Sequence, residues 1–325
     1  MIAYIIRRSL YALPILIGVN VLTFVIFFIV NSPDDMARAH LGSKHIDQEA
    51  IEKWKRARGY DNPIIFNEKA SGIKKISETI FFQKSLSLFI FNFGQADDNR
   101  DIGRDIIIRF GPSLAIALPT FIIGLGLYIT LSLLLIFFRH TYVDFQGVVI
   151  CVIMMSVSSL FYIIGGQFIF GKLLRLVPIS GFDGGVNSIK FVVLPIIIGV
   201  IYGIGSSTRL YRTIFLEEIE KDYVRTARSK GLSEIRVLFH HVLKNGLIPI
   251  LTSSVAIIPL LFMGSLIMES FFGIPGLGSY TIDAIRNEDF AIVRAMVFLG
   301  SFLYILGLLM TDISYTLVDP RIRLE

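Results

Sequence analysis

The stretch Leu10–Val30, LYALPILIGVNVLTFVIFFIV, contains no charged residue and decides the fold class of this protein. A helix needs about 20 apolar residues to cross the hydrocarbon core of a bilayer, and this stretch is long enough. Phe24–Val30 and Leu133–Phe138 are apolar at every position rather than at every second one. A membrane β-strand would instead alternate apolar and polar residues over about ten positions. The sequence therefore predicts an all-α membrane protein.

Five more stretches have the same character, and together they predict a polytopic protein with six transmembrane helices. Hydrophobic residues make up 54% of the 325 residues and lie in long uncharged blocks, which excludes an ordinary soluble chain. Only the last stretch contains an Asp, Glu, Lys or Arg, and this residue, Arg294, lies at its entrance. We therefore expect no buried Asp, Glu, Lys or His of the kind that marks a proton relay. The predicted spans are Leu10–Val30, Ser113–Phe138, Val148–Phe170, Phe191–Ser207, Leu247–Met268 and Ala291–Leu309.

The basic residues predict that both termini lie in the cytoplasm. Arg7 and Arg8 precede the first span, and the connection Arg209–Lys244 contains eight Lys or Arg residues. Lys and Arg are enriched on the cytoplasmic side of membrane proteins, which accounts for the net charge of +5 without a nucleic-acid partner. The first apolar run exceeds the roughly 7–15 residues of a signal-peptide core and lacks a small-residue cleavage site. It predicts an uncleaved first span.

This orientation divides the chain into four parts. We predict that residues 1–30 form the first transmembrane helix and residues 31–110 an extracytoplasmic segment with short helices. Residues 111–312 are predicted to form a core domain of five transmembrane helices, including a cytoplasmic loop, 209–246. Residues 313–325 are predicted to form a cytoplasmic tail.

The loop between the fourth and fifth spans has the pattern of two short amphipathic helices. Phe215, Ile219, Tyr223 and Ala227 recur every four residues and would share one apolar face. Away from that face, ion pairs are predicted at helical spacing between Glu217 and Lys221 and between Asp222 and Arg225.

A glycine separates the two predicted helices. Gly231 is typical of the position just after a helix end, and Ser233 can cap the helix that follows. The second helix is predicted to run from Glu234 to Lys244 and to end at Asn245-Gly246. Two capped helices at a glycine corner are more than a solvated loop requires.

Several motifs resemble a known family. Arg225–Gly231, followed by Asn245–Pro249, is similar to the EAA loop of binding-protein-dependent ABC transporter permeases, whose motif is close to Glu-Ala-Ala-x-x-x-Gly. Arg225-Thr226-Ala227 stands in place of Glu-Ala-Ala, as is typical of the oligopeptide and dipeptide permease branch. Other segments that resemble this branch, and specifically the first of its two membrane subunits, are Tyr4–Arg8, Glu269–Gly278 and Asp312–Arg321.

The resemblance implies a type I ABC importer permease fold and a function. The chain would be the membrane-spanning subunit of an ATP-driven importer of peptides or peptide-like solutes in a bacterial cytoplasmic (inner) membrane. Implied partners are a second homologous permease subunit, two cytoplasmic ATPase subunits and an extracytoplasmic substrate-binding protein. ATP and Mg would be bound by the ATPases, so no catalytic residue, metal site or cofactor is expected in this chain. The implied ATPase-coupling residues are Arg225, Thr226, Ala227, Arg228, Gly231, Leu232 and Ser233.

Two further groups of small residues are candidates for a role. Small residues four apart on a helix allow two helix backbones to approach closely, either within one subunit or between two. Both possibilities are open for Gly199, Gly203 and Ser207 on the fourth span. A turn or re-entrant segment near the outer mouth of the transport pathway is expected at Gly273, Pro275, Gly276 and Gly278.

Two other classes of function are considered. An intramembrane enzyme would need paired catalytic residues or a metal set in the spans, and Ser156, Ser158 and Ser159 have no such partner in the sequence pattern. An ion-coupled secondary transporter could bind its ion through backbone carbonyls at broken helices. The sequence has neither a Gly-x4-Gly-Lys-Ser/Thr phosphate loop nor a proton-relay residue in the predicted spans, and a transporter that lacks both is expected to take its energy from a partner protein.

Overall fold

The computed structural model describes residues 2–42, 47–68, 72 and 74–318, and these residues are mostly helical. Within them there is no strand, only an isolated bridge between Gln95 and Asp101. The α-helices, labelled in chain order, are α1 Ile2–Phe24, α2 Pro33–Leu41, α3 Gln48–Arg58, α4 Lys74–Ser77, α5 Ile102–Phe137, α6 Tyr142–Ser156, α7 Ser159–Gly166, α8 Ile189–Ile219, α9 Asp222–Ser229, α10 Glu234–Val237, α11 Leu243–Val255, α12 Ile258–Leu261, α13 Leu266–Phe272, α14 Leu277–Arg286 and α15 Phe290–Val318. The π-helical and 3-10 segments are Val25–Val30, Phe81–Ser85, Leu86–Ile90, Gln167–Leu173, Gly185–Ser188 and Leu238–Val242.

In this part of the chain, four helices are long and apolar enough to cross a membrane, and two bent pairs raise the number to six if each pair is one span. The continuous helices are Leu10–Val30, Ile102–Phe137, Ile189–Ile219 and Phe290–Ser314. The bent pairs are Tyr142–Ser156 with Ser159–Leu173, at 91°, and Glu234–Val255 with Ile258–Phe272, at 49°. The all-α, multi-span fold is confirmed.

The two bends are features that the apolar pattern does not reveal. The third predicted span breaks at Val157 and Ser158, which have extended backbones although the sequence has neither Pro nor Gly there. The fifth breaks next to Pro259, which lies in the first turn of α12. Proline suits that position because the first turn of a helix does not use its N–H groups within the helix.

The fourth span extends far beyond its predicted end at Ser207, because α8 continues to Ile219. Phe215 and Ile219 are buried and extend the apolar face of α8, and no Pro or Gly interrupts the sequence between Ser207 and Ile219. The chain then turns at Glu220 before α9 begins. The prediction that Phe215 and Ile219 belong to the first loop helix was therefore wrong.

The second loop helix also continues beyond its predicted end at Asn245-Gly246. Helical structure runs without a break from Glu234 into the fifth span as far as Val255. Gly246 is buried against the ring of Phe215, so closely that an added Cβ would overlap it. Here the glycine serves close packing of α11 on α8 rather than helix termination.

The chain divides into two compact units, Met1–Arg109 with Tyr280–Leu309, and Phe110–Ser279 with Met310–Glu325, and the structure describes each of them within the ranges given above. The core of the first unit is a cluster of aromatic and aliphatic side chains from α1–α3 and the segments that follow them: Phe24, Phe28, Met36, Ala37, Ile51, Trp54, Tyr60 and Ile80. One core of the second unit consists of Ile116, Ile163, Val192, Leu194, Ile198, Phe272 and Ile274. The predicted tail 313–325 begins inside α15, and its residues from Asp319 onwards lie outside the described residues.

Two of the small residues of α8 face side chains of α5. Gly199 faces the side chain of Thr120, and Gly203 faces Tyr128, whose hydroxyl donates a hydrogen bond of 2.8 Å to the carbonyl of Val200. Ser207 is half-buried one turn further on. The two glycines thus lie at a contact between α8 and α5 inside this chain.

We expect Gly203→Ala to lower the free energy of unfolding by about 1–3 kcal/mol, since the added methyl would overlap Tyr128. The matched control is Gly126→Ala on α5, where an added Cβ would have no atom within 4 Å. Thermal unfolding of the purified protein in detergent measures both. Equal melting temperatures for the two variants would contradict the close contact.

Candidate functional site

The short helix α9 has one buried and one exposed face. Val224 and Ala227 are buried in an apolar cluster, which we name the loop cluster: Tyr128, Leu133, Ile136, Val200, Tyr211, Phe215, Ile219, Val224, Ala227, Val237, Leu238, Val242 and Ile250. Arg225 and Thr226 lie on the opposite, exposed face. The buried face of α9 therefore packs against the ends of α8 and α11, and its opposite face presents polar side chains to the outside.

The corner after α9 is a Schellman-type helix end. The N–H of Gly231 donates to the carbonyl of Arg228 at 2.9 Å, and the N–H of Leu232 donates to that of Ala227 at 3.4 Å. Gly231 has a φ of +79°, in the left-handed region that favours glycine, and an added Cβ there would meet no other atom. Backbone conformation, rather than space, therefore favours glycine here, and the predicted position of Gly231 just after the helix is confirmed.

Charged side chains hold both ends of α9. Arg228 donates two hydrogen bonds to the carboxylate of Glu234, at 2.8 and 3.3 Å, and so joins α9 to α10. At the other end, the buried Glu218 accepts hydrogen bonds from Lys221, at 2.7 Å, and from the hydroxyl of Tyr223. Burial and the nearby Glu218 raise the pKa of Tyr223 to about 12, so its hydroxyl remains a donor at neutral pH.

Two ion pairs and one helix cap were predicted in this loop. The Asp222–Arg225 ion pair is present at 3.5 Å. Lys221 pairs with Glu218 rather than with the predicted Glu217, because α8 ends here and turns Glu218 inward. Ser233 occupies the N-cap position of α10, but its side chain makes no capping hydrogen bond.

The predicted coupling residues fall into two groups. Arg225, Thr226, Gly231 and Ser233 are exposed, whereas Ala227 is buried and Arg228 and Leu232 are half-buried. The buried and half-buried members and Gly231 build the corner, and the other exposed members form a surface that another protein can contact.

The glycine-rich segment after α13 surrounds a buried carboxylate that the sequence analysis missed. Glu269 is 1% exposed and accepts backbone hydrogen bonds from Ser265 at 3.1 Å, Gly278 at 2.7 Å and Ser279 at 3.1 Å. The Ser113 hydroxyl also bonds this carboxylate and accepts the N–H of Leu277 at 2.8 Å. Glu269 therefore closes the turn between α13 and α14.

The glycines of this segment allow the backbone to approach the carboxylate. An added Cβ at Gly276 would overlap Glu269 and Ser113, and one at Gly278 would lie 2.6 Å from the Ser265 carbonyl. Gly273 ends α13 in the left-handed conformation, and the chain then passes through Pro275 to α14. The four predicted outer-mouth residues thus belong to one ordered turn.

The expectation that the spans contain no buried acid was wrong. Glu269 lies in the bent fifth span, one residue beyond the predicted end at Met268. Asp144 is buried at the start of α6 and is held by two hydrogen bonds from Arg212, at 2.8 and 2.7 Å. Arg294, expected at the span entrance, is also buried. The sequence does contain one sign that Glu269 is unusual: it is a single acid between an apolar run and a glycine-rich segment.

The described residues contain no group of three or more His, Cys, Asp or Glu side chains that could hold a metal ion. His240 is exposed, and the ring of His241 lies 6.4 Å from that of Tyr223. The hydroxyl of Ser156 donates to the Val152 carbonyl at 2.9 Å.

Comparison with known protein families shows to which family this chain belongs. Residues 104–324 match the model of the binding-protein-dependent transport system inner membrane component, and residues 1–79 match its N-terminal companion. The chain belongs to this family. It is a multi-pass permease of the bacterial inner membrane and a transport subunit.

Full-length relatives of this permease carry transport names. It is 30% identical over 331 residues to a putative peptide transport system permease protein of Brucella abortus, covering 100% of both chains. It is 29% identical to the oligopeptide transport system permease protein AppB of Bacillus subtilis, over 99% of this chain and 100% of the relative. It is 26% identical to the dipeptide transport system permease protein DppB of the same organism, over 100% and 99%. The family resemblance inferred from the motifs is confirmed.

We expect Glu269→Gln to destabilise the turn between α13 and α14 of this permease. A glutamine keeps one acceptor oxygen, and its amide nitrogen would face backbone donors, each of which costs about 1–3 kcal/mol if left unsatisfied. Amide exchange at residues 276–279 and the melting temperature measure the effect. The control, Asp283→Asn, neutralises an exposed acid of α14. The structural role of Glu269 would be contradicted if both variants exchanged and melted alike.

Proposed function

We propose that this permease is the membrane-spanning subunit of a peptide importer whose energy comes from ATP hydrolysis on separate subunits. The observation that carries the proposal is the geometry of α9, a short helix with an exposed polar face and a buried face fixed to two spans. A rigid, exposed element of this kind is suited to receive a mechanical displacement from a neighbouring protein. A flexible loop would absorb the displacement instead.

The proposed coupling runs from α9 into the spans through packed side chains. Ala227 and Val224 contact the loop cluster, and the contact of Phe215 with Gly246 ties α8 to α11. Because packed interiors resist compression, a displacement of α9 would move the ends of both spans together. Rigid-body motion of this kind would switch a cavity between inward- and outward-facing states.

The proposed partners follow from the family. We infer a second, homologous permease subunit, two cytoplasmic ATPases that bind ATP and Mg, and an extracytoplasmic binding protein that delivers the solute. In this scheme the chain itself carries no catalytic residue. Both termini and the α9 corner would lie in the cytoplasm, and the segment 31–110 would lie outside.

Peptides are the proposed solutes because the relatives that match over their full length are named for peptide, oligopeptide or dipeptide transport. Because the names of these relatives specify peptides of different lengths, we propose peptides in general as the solutes and no particular length.

The orientation can be tested with single cysteines. The lone cysteine, Cys151, is buried, so Cys151→Ser gives a cysteine-free background. A membrane-impermeant maleimide should label Asp61→Cys in intact spheroplasts and should label Thr226→Cys only after permeabilisation. Both positions are exposed, so burial does not confuse the comparison. Labelling of Thr226→Cys in intact spheroplasts would refute the proposal.

The coupling role can be tested by charge reversal on the exposed face of α9. We expect Arg225→Glu to lower uptake per ATP hydrolysed about tenfold, or ~1.4 kcal/mol of coupling, in proteoliposomes with the partner subunits. Arg286→Glu makes the same charge change at an exposed position of α14 and should leave co-purification of the ATPases unaltered. Uptake that depends on no ATPase would favour an ion-coupled transporter instead.

The corner offers a second, independent pair of variants. Gly231→Ala should impair coupling because a left-handed conformation costs an ordinary residue about 1–2 kcal/mol. Gly231→Asn adds a larger side chain but tolerates this conformation, so it should retain most of the coupling. If both variants coupled like the parent, the geometry of the corner would not matter.

A further inference from the structure

Arg294 is a buried cation without a carboxylate partner among the described residues. It lies in the second turn of α15, is 4% exposed, and its Nε atom has no hydrogen-bond acceptor. Its guanidinium lies 5.1 Å from the ring centre of Phe28, within the range of a cation–π contact. A buried charge normally needs both an opposite charge and hydrogen-bond acceptors to offset its lost hydration, and an aromatic ring provides neither.

Two acids lie in the surroundings of Arg294, and each has other close partners: Asp289 acts electrostatically on the guanidinium, and Asp97 lines the same cavity. Asp289 accepts the backbone N–H of Asp97 at 2.8 Å and that of Ile292 at 3.2 Å. The side chain of Asp97 pairs with Arg58 at 2.5 Å and with His40 at 3.2 Å. The charge of Asp289 attracts the guanidinium, but neither carboxylate forms an ion pair with Arg294.

A polar cavity of about 440 Å³ adjoins the guanidinium. Arg294, Lys84, Tyr60 and Asn92 line it, and Asp97 is the one acid among the described residues of its wall. Lys84 lies with its ammonium 5.5 Å from the ring centre of Tyr60 and has no ion-pair partner in the described chain. Burial, and then the charge of Arg294, lower the pKa of Lys84. Two cations that form no ion pair within the described residues therefore share one cavity.

We propose that this cavity binds a phosphate group, carried by an anionic lipid headgroup or free in solution. The planar fork of an arginine matches phosphate oxygens in pairs, and a lysine adds a compact positive charge. A phosphate has enough acceptor oxygens to engage both side chains. All the residues involved belong to the unit formed by Met1–Arg109 and Tyr280–Leu309. The site is separate from the α9 corner, so it does not depend on the proposed transport cycle.

The test is thermal unfolding of the purified full-length permease in two arms. One arm titrates sodium phosphate in detergent against sodium chloride at equal ionic strength. The other compares nanodiscs of phosphatidylcholine with nanodiscs that also contain phosphatidylglycerol. A saturable rise in melting temperature is expected in at least one arm, because a ligand that binds the folded state stabilises it. A rise with phosphate indicates a soluble ligand, and a rise only with phosphatidylglycerol indicates a lipid headgroup.

Three variants locate the effect. Arg294→Gln should abolish the rise, and Lys84→Gln should weaken the apparent affinity at least about fivefold. Lys190→Gln removes an exposed lysine of α8 and should leave the rise unchanged. If Arg294→Gln does not fold, Lys84→Gln at the cavity wall carries the test. The proposal is overturned if neither arm exceeds its control, or if Lys190→Gln loses as much affinity as Lys84→Gln.

Discussion

The contact between Phe215 and Gly246 is the constraint on which the candidate site depends. Phe215 is fully buried, and the glycine allows the backbone of α11 to lie directly against its ring. Protein interiors are packed as densely as organic crystals, so the two helices cannot shift independently at this point. Val224 and Ala227 pack into the same cluster and fix α9 to both helices at once. The exposed face of α9 therefore has a defined position relative to the ends of two spans.

Buried polar groups in this chain differ in how they are compensated. Backbone amides surround Glu269, and the guanidinium of Arg212 neutralises Asp144. Both arrangements satisfy the charge with groups of the protein itself, as a low-dielectric interior requires. Arg294 departs from this pattern, because the face of Phe28 is its close partner and a polar cavity lies beside it. This contrast separates charges that stabilise the fold from one that is suited to a ligand.

The motif that identifies the family combines two physical roles. Ala227, Gly231 and Leu232 build the corner through burial, a left-handed backbone and a Schellman hydrogen bond. Arg225 and Thr226 contribute nothing to that packing and face outward. The first group specifies how the corner folds, and the second is exposed and available for contact with another protein.

The sequence by itself determined the helical class, the order of the spans, the family and the corner at Gly231. These depend on local quantities: the length of an apolar run relative to the bilayer, and a backbone conformation that glycine adopts readily. Only the tertiary structure decided that α8 runs on to Ile219 and that Gly246 lies inside a helix, since both follow from packing between α8 and α11. It also decided the burial of Glu269 and Arg294. The residues that surround a buried charge can come from distant parts of the chain, as Ser113 does for Glu269. The sequence next to the charged residue therefore does not predict its burial.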